Sequence, residues 1–238
     1  METKLFLMVV SGRSGSSYLT KLVDRDNRLI MLGEMLVGKT ESQQKQILQD
    51  FFQGKMKNKS YLGKKAAIGF KTKLNDIVDR DNFLSLIKQH QPIIVINRRR
   101  NFLKQAISRA RMLVLLENTA KKYGKRHHSP IDKSDIVPAI RVDPDWIYRT
   151  AKNFAQRDRE LEKFSQSLND KVATIYYEDF AIEPTIAIKK LSEILEIDIN
   201  IDNYDVTYKN TSEDLRQAIS NYDELKTRLK DTEYLSML

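Results

Sequence analysis

The chain has 238 residues, which is enough for one domain with a full hydrophobic core and short for two. It contains no cysteine, which excludes disulfides and cysteine-ligated metals, and its three histidines show no metal-binding spacing, so we expect no metal site. The net charge of +9 favours an anionic ligand, but 32 acidic residues are interleaved with the basic ones, so charge alone does not separate nucleic acid from a small polyanion.

Short apolar runs alternate with amphipathic stretches along the chain, a pattern typical of a parallel sheet covered by helices. The predicted strands cover residues 5–10, 66–71, 92–97 and 172–176. The predicted helices cover residues 16–24, 81–89 and 102 to about 117, then begin again at 143 and at 183, and fill most of 211–238. We therefore predict a three-layer α/β/α fold with a central parallel sheet.

The domain organisation follows from the same pattern, because no repeat or Pro/Gly/Ser-rich linker divides the sequence. We predict a single domain over 1–238, in which the basic segment 113–149 is a substrate cap. The first apolar run is far too short to span a membrane and lacks a signal-peptide cleavage site. We therefore expect a cytoplasmic protein without a membrane span.

The segment from Ser11 to Tyr18 lies between the first predicted strand and its helix. Small residues at such a turn expose backbone N–H groups at a helix N-terminus, where the helix dipole also favours an anion. Gly12 and Gly15 allow a tight turn and a close approach to phosphate. An arginine and three serines add donors, namely Arg13, Ser14, Ser16 and Ser17. The alternative is an ordinary polar strand–helix turn.

This loop is not a Walker A motif, because no Gly-Lys-Ser/Thr follows Gly12 at the required spacing. A Gly38-Lys39-Thr40 triplet occurs further on, but no strand is predicted before it, and we interpret it as chance. Both points count against a magnesium-dependent kinase or ATPase.

A second basic segment, Arg98-Arg99-Arg100, directly follows the strand at 92–97, and Ser108 lies eight residues after Arg100. Ligands of open α/β sheets bind outside the carboxyl ends of the strands, so we expect both basic segments at one sheet edge. One ligand with two separated phosphate groups would satisfy both. The alternative is a solvated basic run, the usual fate of such clusters.

At these residues the sequence resembles the sulfotransferase superfamily. Arg13-Ser14-Gly15-Ser16-Ser17 is similar to the family's loop for the 5′-phosphosulfate of 3′-phosphoadenosine 5′-phosphosulfate (PAPS). Tyr18 after it resembles the carbohydrate-sulfating branch and its bacterial relatives. Arg100 and Ser108 match the spacing of the family's 3′-phosphate ligands. The resemblance implies a P-loop NTPase-like fold that binds PAPS, or its product adenosine 3′,5′-bisphosphate (PAP), without a metal.

Two later segments agree with this resemblance. Residues 176–179, Tyr-Tyr-Glu-Asp, are similar to the family's Tyr-Glu-Asp segment, which implies that Tyr177 lies near the adenine. The alternative for Tyr177 is a core aromatic residue at a strand end. The segment around Lys209 resembles the part of the family that closes over the nucleotide.

The resemblance also implies catalytic roles. Arg13 would lie near the leaving phosphate, and Lys71, at a strand end, would be a second cation. The family often continues this strand with a histidine base, but Lys73 stands there, and an ordinary lysine is protonated near neutral pH. Glu34 is the better candidate for the base, because its Gly-Glu segment resembles the one with the catalytic carboxylate, particularly if burial raises its pKa. Two alternatives stay open for the base, Lys73 or a histidine, and the alternative for Glu34 is an ordinary surface residue.

Together these features predict a sulfotransferase that moves a sulfuryl group from PAPS to a hydroxyl of a glycan or a small molecule. The alternative is a P-loop-type nucleotide or sugar kinase. A basic nucleic-acid-binding protein is a third reading, but no recognisable module is present, and we expect no nucleic-acid partner.

Overall fold

The computed structural model describes residues 3–55, 65–168, 171–200 and 211–238. One sheet is built from five strands, β1 (Lys4–Val10), β2 (Leu29–Glu34), β3 (Ala67–Thr72), β4 (Ile93–Arg98) and β5 (Val172–Tyr176). All neighbouring strands are parallel, and their order β2-β3-β1-β4-β5 puts β1 in the centre. The four strands predicted from sequence are confirmed to within one residue at each end.

Helices follow the strands. They are α1 (Ser16–Val23), α2 (Glu41–Phe52), α3 (Arg80–His90), α4 (Phe102–Tyr123), α5 (Pro144–Gln166), α6 (Tyr177–Ile182), α7 (Pro184–Leu195), α8 (Leu215–Ala218) and α9 (Tyr222–Leu229). The predicted start of α5 is confirmed, since the carboxylate of Asp143 accepts the backbone N–H groups of Asp145 at 2.9 Å and Trp146 at 3.2 Å.

The chain divides into two compact units. One comprises Met1–Arg99 and Asp158–Tyr204, and the other comprises Arg100–Arg157 and Asp205–Leu238. The first unit contains the whole sheet. The segment 113–149 falls within the second unit, where its role as a substrate cap stays a prediction, as does the single domain.

The central strand explains the layers of the first unit. Successive side chains of a strand point to opposite faces, and in β1 both faces are apolar. Phe6 and Met8 pack on one face against the buried leucines of α1 and α7, whereas Leu7 and Val9 pack on the other against α2 and α3. The three-layer α/β/α prediction is confirmed, and the loop after β1 occupies the position of the phosphate loop in P-loop NTPase-like folds.

The second unit has its own core, formed by apolar residues of α4, the first half of α5, α8 and α9. Buried within it is the guanidinium of Arg111, which donates to the carbonyl oxygens of Pro138 at 2.9 Å, of Ala218 at 2.7 Å and of Val137. One side chain therefore ties α4 to two other segments of the same unit.

Four elements differ from the sequence prediction. Strand β2 and helices α2 and α6 have no counterpart in it. Strand β2 is missed because Gly33 and Glu34 interrupt its apolar pattern. Helix α4 continues to Tyr123, six residues beyond the predicted end. The charge pair between Lys121 and Glu117, at 2.8 Å, supports the last turns, and Gly124 ends the helix with a φ of 65°.

Candidate active site

The loop between β1 and α1 is fixed by Ser14. Its buried Oγ lies 2.6 Å from the carbonyl oxygen of Ser11 and 2.5 Å from Oδ1 of Asn97, at the end of β4. The backbone N–H of Ser11 donates to the carbonyl oxygen of Asn97 at 3.2 Å. Ser14, predicted as a cofactor ligand, therefore has a hydroxyl that positions the loop against the neighbouring strand.

Two residues of the loop have a left-handed backbone, Arg13 with a φ of 65° and Gly15 with a φ of 75°. Gly15 is the N-cap of α1 and has no side chain to accept the first N–H groups of the helix, and no acidic residue occupies the first turn. The amide groups at such an end have no intrahelical acceptor and, with the helix dipole, favour an anion. Ser16 and Ser17, the first two residues of α1, are at this end.

The buried side chain of Arg99 is hydrogen-bonded to the loop. Its side chain is 7% exposed, its Nη1 donates to the carbonyl oxygen of Arg13 at 3.1 Å, and its guanidinium carbon lies 4.4 Å from the ring centroid of Tyr177. Nε of Arg99 also lies 3.9 Å from Oε1 of Glu178. No individual role for Arg99 is predicted from the sequence, although its place directly after a buried strand marks the basic run as a candidate site.

The aromatic residues near this loop form one cluster. The ring of Tyr177 lies so close to Gly15 that an added Cβ would meet Tyr177 Cδ2 at 2.4 Å. Tyr177 and Tyr18 both contact Phe180, with ring centroids 5.6 Å and 5.8 Å apart. The structure thus gives Tyr177 a packing contact with the loop, and its predicted adenine contact stays a prediction.

Arg13 is partly buried, and this affects its charge. Burial and the neighbouring charge of Arg99 lower the pKa of Arg13 to about 10. At neutral pH the guanidinium group of Arg13 is therefore still protonated. Two cations held together in this way create a local positive potential that an anionic ligand would relieve.

The three arginines of the basic run have separate surroundings. Arg98 is held by Asp158, with Nη2 2.6 Å from Oδ2, and by Glu162, so it belongs to an ion-pair network of the first unit. Arg99 supports the loop. Arg100 is exposed and begins the second unit, one residue before the N-cap of α4, Asn101.

A carboxylate and two lysines meet at the ends of β2 and β3. Nζ of Lys71 lies 3.6 Å from Oε1 of Glu34 and 3.2 Å from Oγ of Ser17. Nζ of Lys73 lies 3.0 Å from Oε2 of Glu34 and 2.9 Å from Oδ2 of Asp76. The predicted pair of Glu34 and Lys71 is therefore brought together beside the first turn of α1.

Strand β2 directs Glu34 into this cluster by a bulge. The register of β2 on β3 shifts between Met31 and Glu34, and Gly33, with a φ of 73°, takes the left-handed conformation within the shift. After the shift Glu34 pairs directly with Lys71. Glu34 is thus the last residue of a strand.

The charges of the cluster perturb one another. Burial alone would raise the pKa of Glu34, but the hydrogen bond and charge of Lys73, with the charge of Lys71, outweigh it and hold this pKa below its ordinary value. The rise of this pKa that would have favoured Glu34 as a base therefore does not occur. Burial lowers the pKa of Lys71, against the charge of Glu34. Although burial opposes it, hydrogen bonds to Asp76 and Glu34 raise the pKa of Lys73, which counts against Lys73 as a base.

The remaining predicted ligands belong to other parts of the chain. Ser108 is 6% exposed in α4 of the second unit, eight residues after the exposed Arg100. Lys209 lies outside the described residues. The roles of these three residues stay predictions.

The loop after β2 carries a signal that the sequence analysis missed. Residues 33–40 read Gly-Glu-Met-Leu-Val-Gly-Lys-Thr, a full match to the Walker A pattern. The reason for treating Gly38-Lys39-Thr40 as chance, that no strand precedes it, is wrong, since β2 ends at Glu34.

The N-terminus of α2 is capped by the protein itself. The hydroxyl of Thr40 accepts the N–H of Gln43 at 3.4 Å, and the side chain of Gln43 accepts the N–H of Thr40 at 3.0 Å. The N–H of Lys39 donates to the carbonyl oxygen of Leu36 at 3.3 Å, and Leu36 is fully buried. The N–H groups of Lys39 and Gln43 are thus engaged within the protein, and the N-cap of α2 has a side-chain acceptor that the N-cap of α1 lacks.

Within the ranges given above, no helix has both the length and the apolar character that crossing a bilayer requires. In that same part of the chain, no group of three or more histidine, aspartate or glutamate side chains is placed to hold a metal ion.

Comparison with known proteins gives structural likenesses only. No protein-family model and no curated protein matches the sequence. A sulfotransferase from Alicyclobacillus acidocaldarius aligns with a TM-score of 0.44 and 15% identity over 99% of this chain and 95% of its own. A mouse sulfotransferase in complex with PAP aligns with a TM-score of 0.49 and 14% identity over 99% of this chain and 87% of its own. A sulfotransferase domain from the curacin biosynthetic pathway aligns with a TM-score of 0.45 and 12% identity over 84% of this chain and 76% of its own. At identities and scores this low, the function has to be inferred from the side chains of the chain itself.

Proposed function

We propose that this protein is a sulfotransferase that moves a sulfuryl group from PAPS to a hydroxyl group of a glycan or a small molecule. The observation that carries the proposal is the position of Lys71. Its Nζ lies 3.2 Å from Oγ of Ser17, in the first turn of α1, and 3.6 Å from Oε1 of Glu34. A single cation thus connects a phosphate-type loop with a carboxylate that can accept a proton.

The donors of the loop fit a phosphosulfate group. The group is a compact polyanion, and Arg13, Lys71 and the amide groups that begin α1 are charged or dipolar donors without competing acid in that turn. When bound, PAPS would supply the sulfuryl group to be transferred. Arg100 and Ser108 are the proposed ligands of its 3′-phosphate, in keeping with their spacing, and Tyr177 and Lys209 are proposed to contact its nucleoside part.

The residues of the carboxylate cluster have distinct proposed roles. Glu34 is ionised at neutral pH and accepts the proton of the acceptor hydroxyl as its oxygen attacks sulfur, then passes that proton to water. Lys71 and Arg13 stabilise the negative charge that gathers on the departing phosphate oxygen. Lys73 and Asp76 position Glu34, because Lys73 bonds to both carboxylates.

The Walker A match at 33–40 supports the alternative, a P-loop-type nucleotide or sugar kinase. We do not favour it, because the capping box of Thr40 and Gln43 occupies the end of α2. The two functions nevertheless depend on different lysines, Lys71 for the sulfotransferase and Lys39 for the kinase. Their separate substitution therefore distinguishes the two.

Titration calorimetry with PAP and with ATP–magnesium tests the proposal on wild type, Lys71→Gln and Lys39→Gln. We expect wild type to bind PAP more tightly than ATP–magnesium, Lys71→Gln to weaken PAP binding at least about tenfold, and Lys39→Gln to stay within about twofold. ATP–magnesium binding that depends on Lys39 would establish the kinase instead. Transfer of labelled sulfur from PAPS to a panel of glycans and phenols then tests the reaction itself.

A further inference from the structure

The second unit contains a polar cavity that none of the roles above uses. It measures about 190 Å³ and lies between α4 and the first half of α5. Its lining combines two arginines, two aromatic rings and two small polar side chains, namely Arg109, Arg157, Trp146, Phe154, Thr150 and Asn153. The five residues from α5 recur at helical spacing, so one face of that helix forms a wall.

The two arginines of this cavity differ from three other arginines of the unit. Arg111 is bonded to three carbonyl groups, Arg141 to Glu224 and Arg228 to Asp145. Among the residues that the structure describes, neither Arg109 nor Arg157 has an ion-pair partner. Two guanidinium groups without a carboxylate at one cavity favour an anionic ligand, because such groups bind carboxylates and related oxyanions with parallel hydrogen bonds.

The other side chains narrow the class of ligand. The indole of Trp146 and the buried ring of Phe154 offer apolar surface, whereas Thr150 and Asn153 offer groups that exchange hydrogen bonds with hydroxyls. A pyranose ring has both a C–H face and hydroxyl groups. The cavity is smaller than the roughly 300–1,000 Å³ of pockets for drug-sized ligands, so it suits one ring and not a nucleotide. A bare inorganic anion would leave the aromatic and amide surfaces without a partner.

We propose that this cavity binds a sugar ring that carries a carboxylate, a hexuronate, as the recognition element of the acceptor. The carboxylate is held by Arg109 and Arg157, the C–H face packs on Trp146, and the hydroxyls bond to Asn153 and Thr150. As a statement about the acceptor the inference rests on the proposed function. Binding of the sugar itself does not need PAPS, so the two proposals fail separately.

Trp146 makes a direct test feasible, because it is the only tryptophan of the chain. Tryptophan fluorescence is titrated with glucuronate, glucose and inorganic sulfate, and calorimetry of the same ligands shows binding even if the emission does not change. The variants are Arg109→Gln, Arg157→Gln and, as a matched control, Arg149→Gln, an exposed arginine of α5 outside the cavity. Circular dichroism confirms that each variant is folded.

We expect saturable binding of glucuronate, binding of glucose and of sulfate at least about tenfold weaker, and losses of at least about tenfold in Arg109→Gln and Arg157→Gln but not in Arg149→Gln. Equal affinity for glucuronate and glucose would remove the carboxylate from the proposal. Sulfate binding as tight as glucuronate would show a simple anion site. No saturable binding of glucuronate would overturn the inference, whatever the affinity for PAP.

Discussion

An added Cβ at Gly15 would lie 2.4 Å from Cδ2 of Tyr177, so the ring that follows β5 leaves room only for glycine at the start of α1. The backbone of Gly15 has a φ of 75°, which residues other than glycine rarely adopt. The loop therefore depends on one residue for two reasons, conformation and space. They can be separated experimentally.

We expect Gly15→Ala to lower the free energy of unfolding by about 2 kcal/mol or more, since strain and overlap add. Gly124→Ala is the matched control, because Gly124 has a φ of 65° and a Cβ added there would meet no described atom within 4 Å, so only the strain of about 1 kcal/mol applies. Denaturant unfolding measures both. Equal losses of unfolding free energy in the two variants would show that the ring of Tyr177 moves aside without a measurable cost.

Glu34→Gln tests the proposed base. The amide keeps the size of the side chain and can still contact the lysines, but it cannot accept a proton. We expect turnover to fall by a factor of about 100 or more, with PAP affinity within about threefold of wild type. Sulfur transfer from PAPS and calorimetry provide the two measurements. Turnover that stays at the wild-type level would exclude Glu34 from this role.

The parallel sheet could be predicted from sequence because buried strands such as 92–97 contain an unbroken β-branched run, here Ile93–Ile96. The loop at 11–18 could be predicted because glycine and serine follow such a strand. Strand β2 could not, since its bulge at Gly33 breaks the periodicity on which strand prediction depends. The same bulge brings Glu34 to Lys71.

The support given by Arg99 could not be predicted either. Three adjacent arginines look alike in sequence, and only the fold separates the one paired with Asp158 from the one bonded to the loop. The direction of the pKa shift of Glu34 could not be predicted from sequence for a similar reason. Burial raises this pKa and the two lysines lower it, and the outcome depends on how close Lys71 and Lys73 lie to the carboxylate.

The pH dependence of turnover should report on Lys73. Glu34 acts as a base only when ionised, and Lys73 holds its pKa low, so activity should persist on the acidic side until the pH falls to that low pKa. In Lys73→Met the hydrogen bond and charge are lost, the pKa of Glu34 rises, and the acidic limb of the profile should move to higher pH. The exposed Lys45→Met is the control and should leave the limb in place. A limb that does not move in Lys73→Met would show that another group sets it.

Arg100→Ala should distinguish binding of the 3′-phosphate from binding of the rest of the nucleotide. If Arg100 binds the 3′-phosphate, the variant should bind PAP at least about tenfold more weakly, yet bind adenosine 5′-phosphosulfate, which lacks that phosphate, within about twofold of wild type. Arg126→Ala, which removes another exposed arginine of the second unit, should leave both affinities unchanged. An equal loss for both nucleotides would place Arg100 elsewhere than at the 3′-phosphate.

Arg111 should matter for stability and not for chemistry. Its guanidinium is buried, burial lowers its pKa, and the carbonyl groups of Val137, Pro138 and Ala218 are bonded to it. In Arg111→Met these buried acceptors lose their donors, and hydrogen bonds from a charged group contribute about 1.5–3 kcal/mol each, so we expect a loss of about 3 kcal/mol or more.

The control is Arg141→Met, which removes an exposed ion pair with Glu224 and should cost less than about 1 kcal/mol. Hydrogen exchange adds a test of location. Because the three carbonyl groups bonded to Arg111 lie within the second unit, Arg111→Met should raise amide exchange in α4 and α8 more than in β1 and β3. Uniform loss of protection across both units would mean that they unfold as one cooperative body, and the stability assigned to Arg111 would then belong to the whole chain.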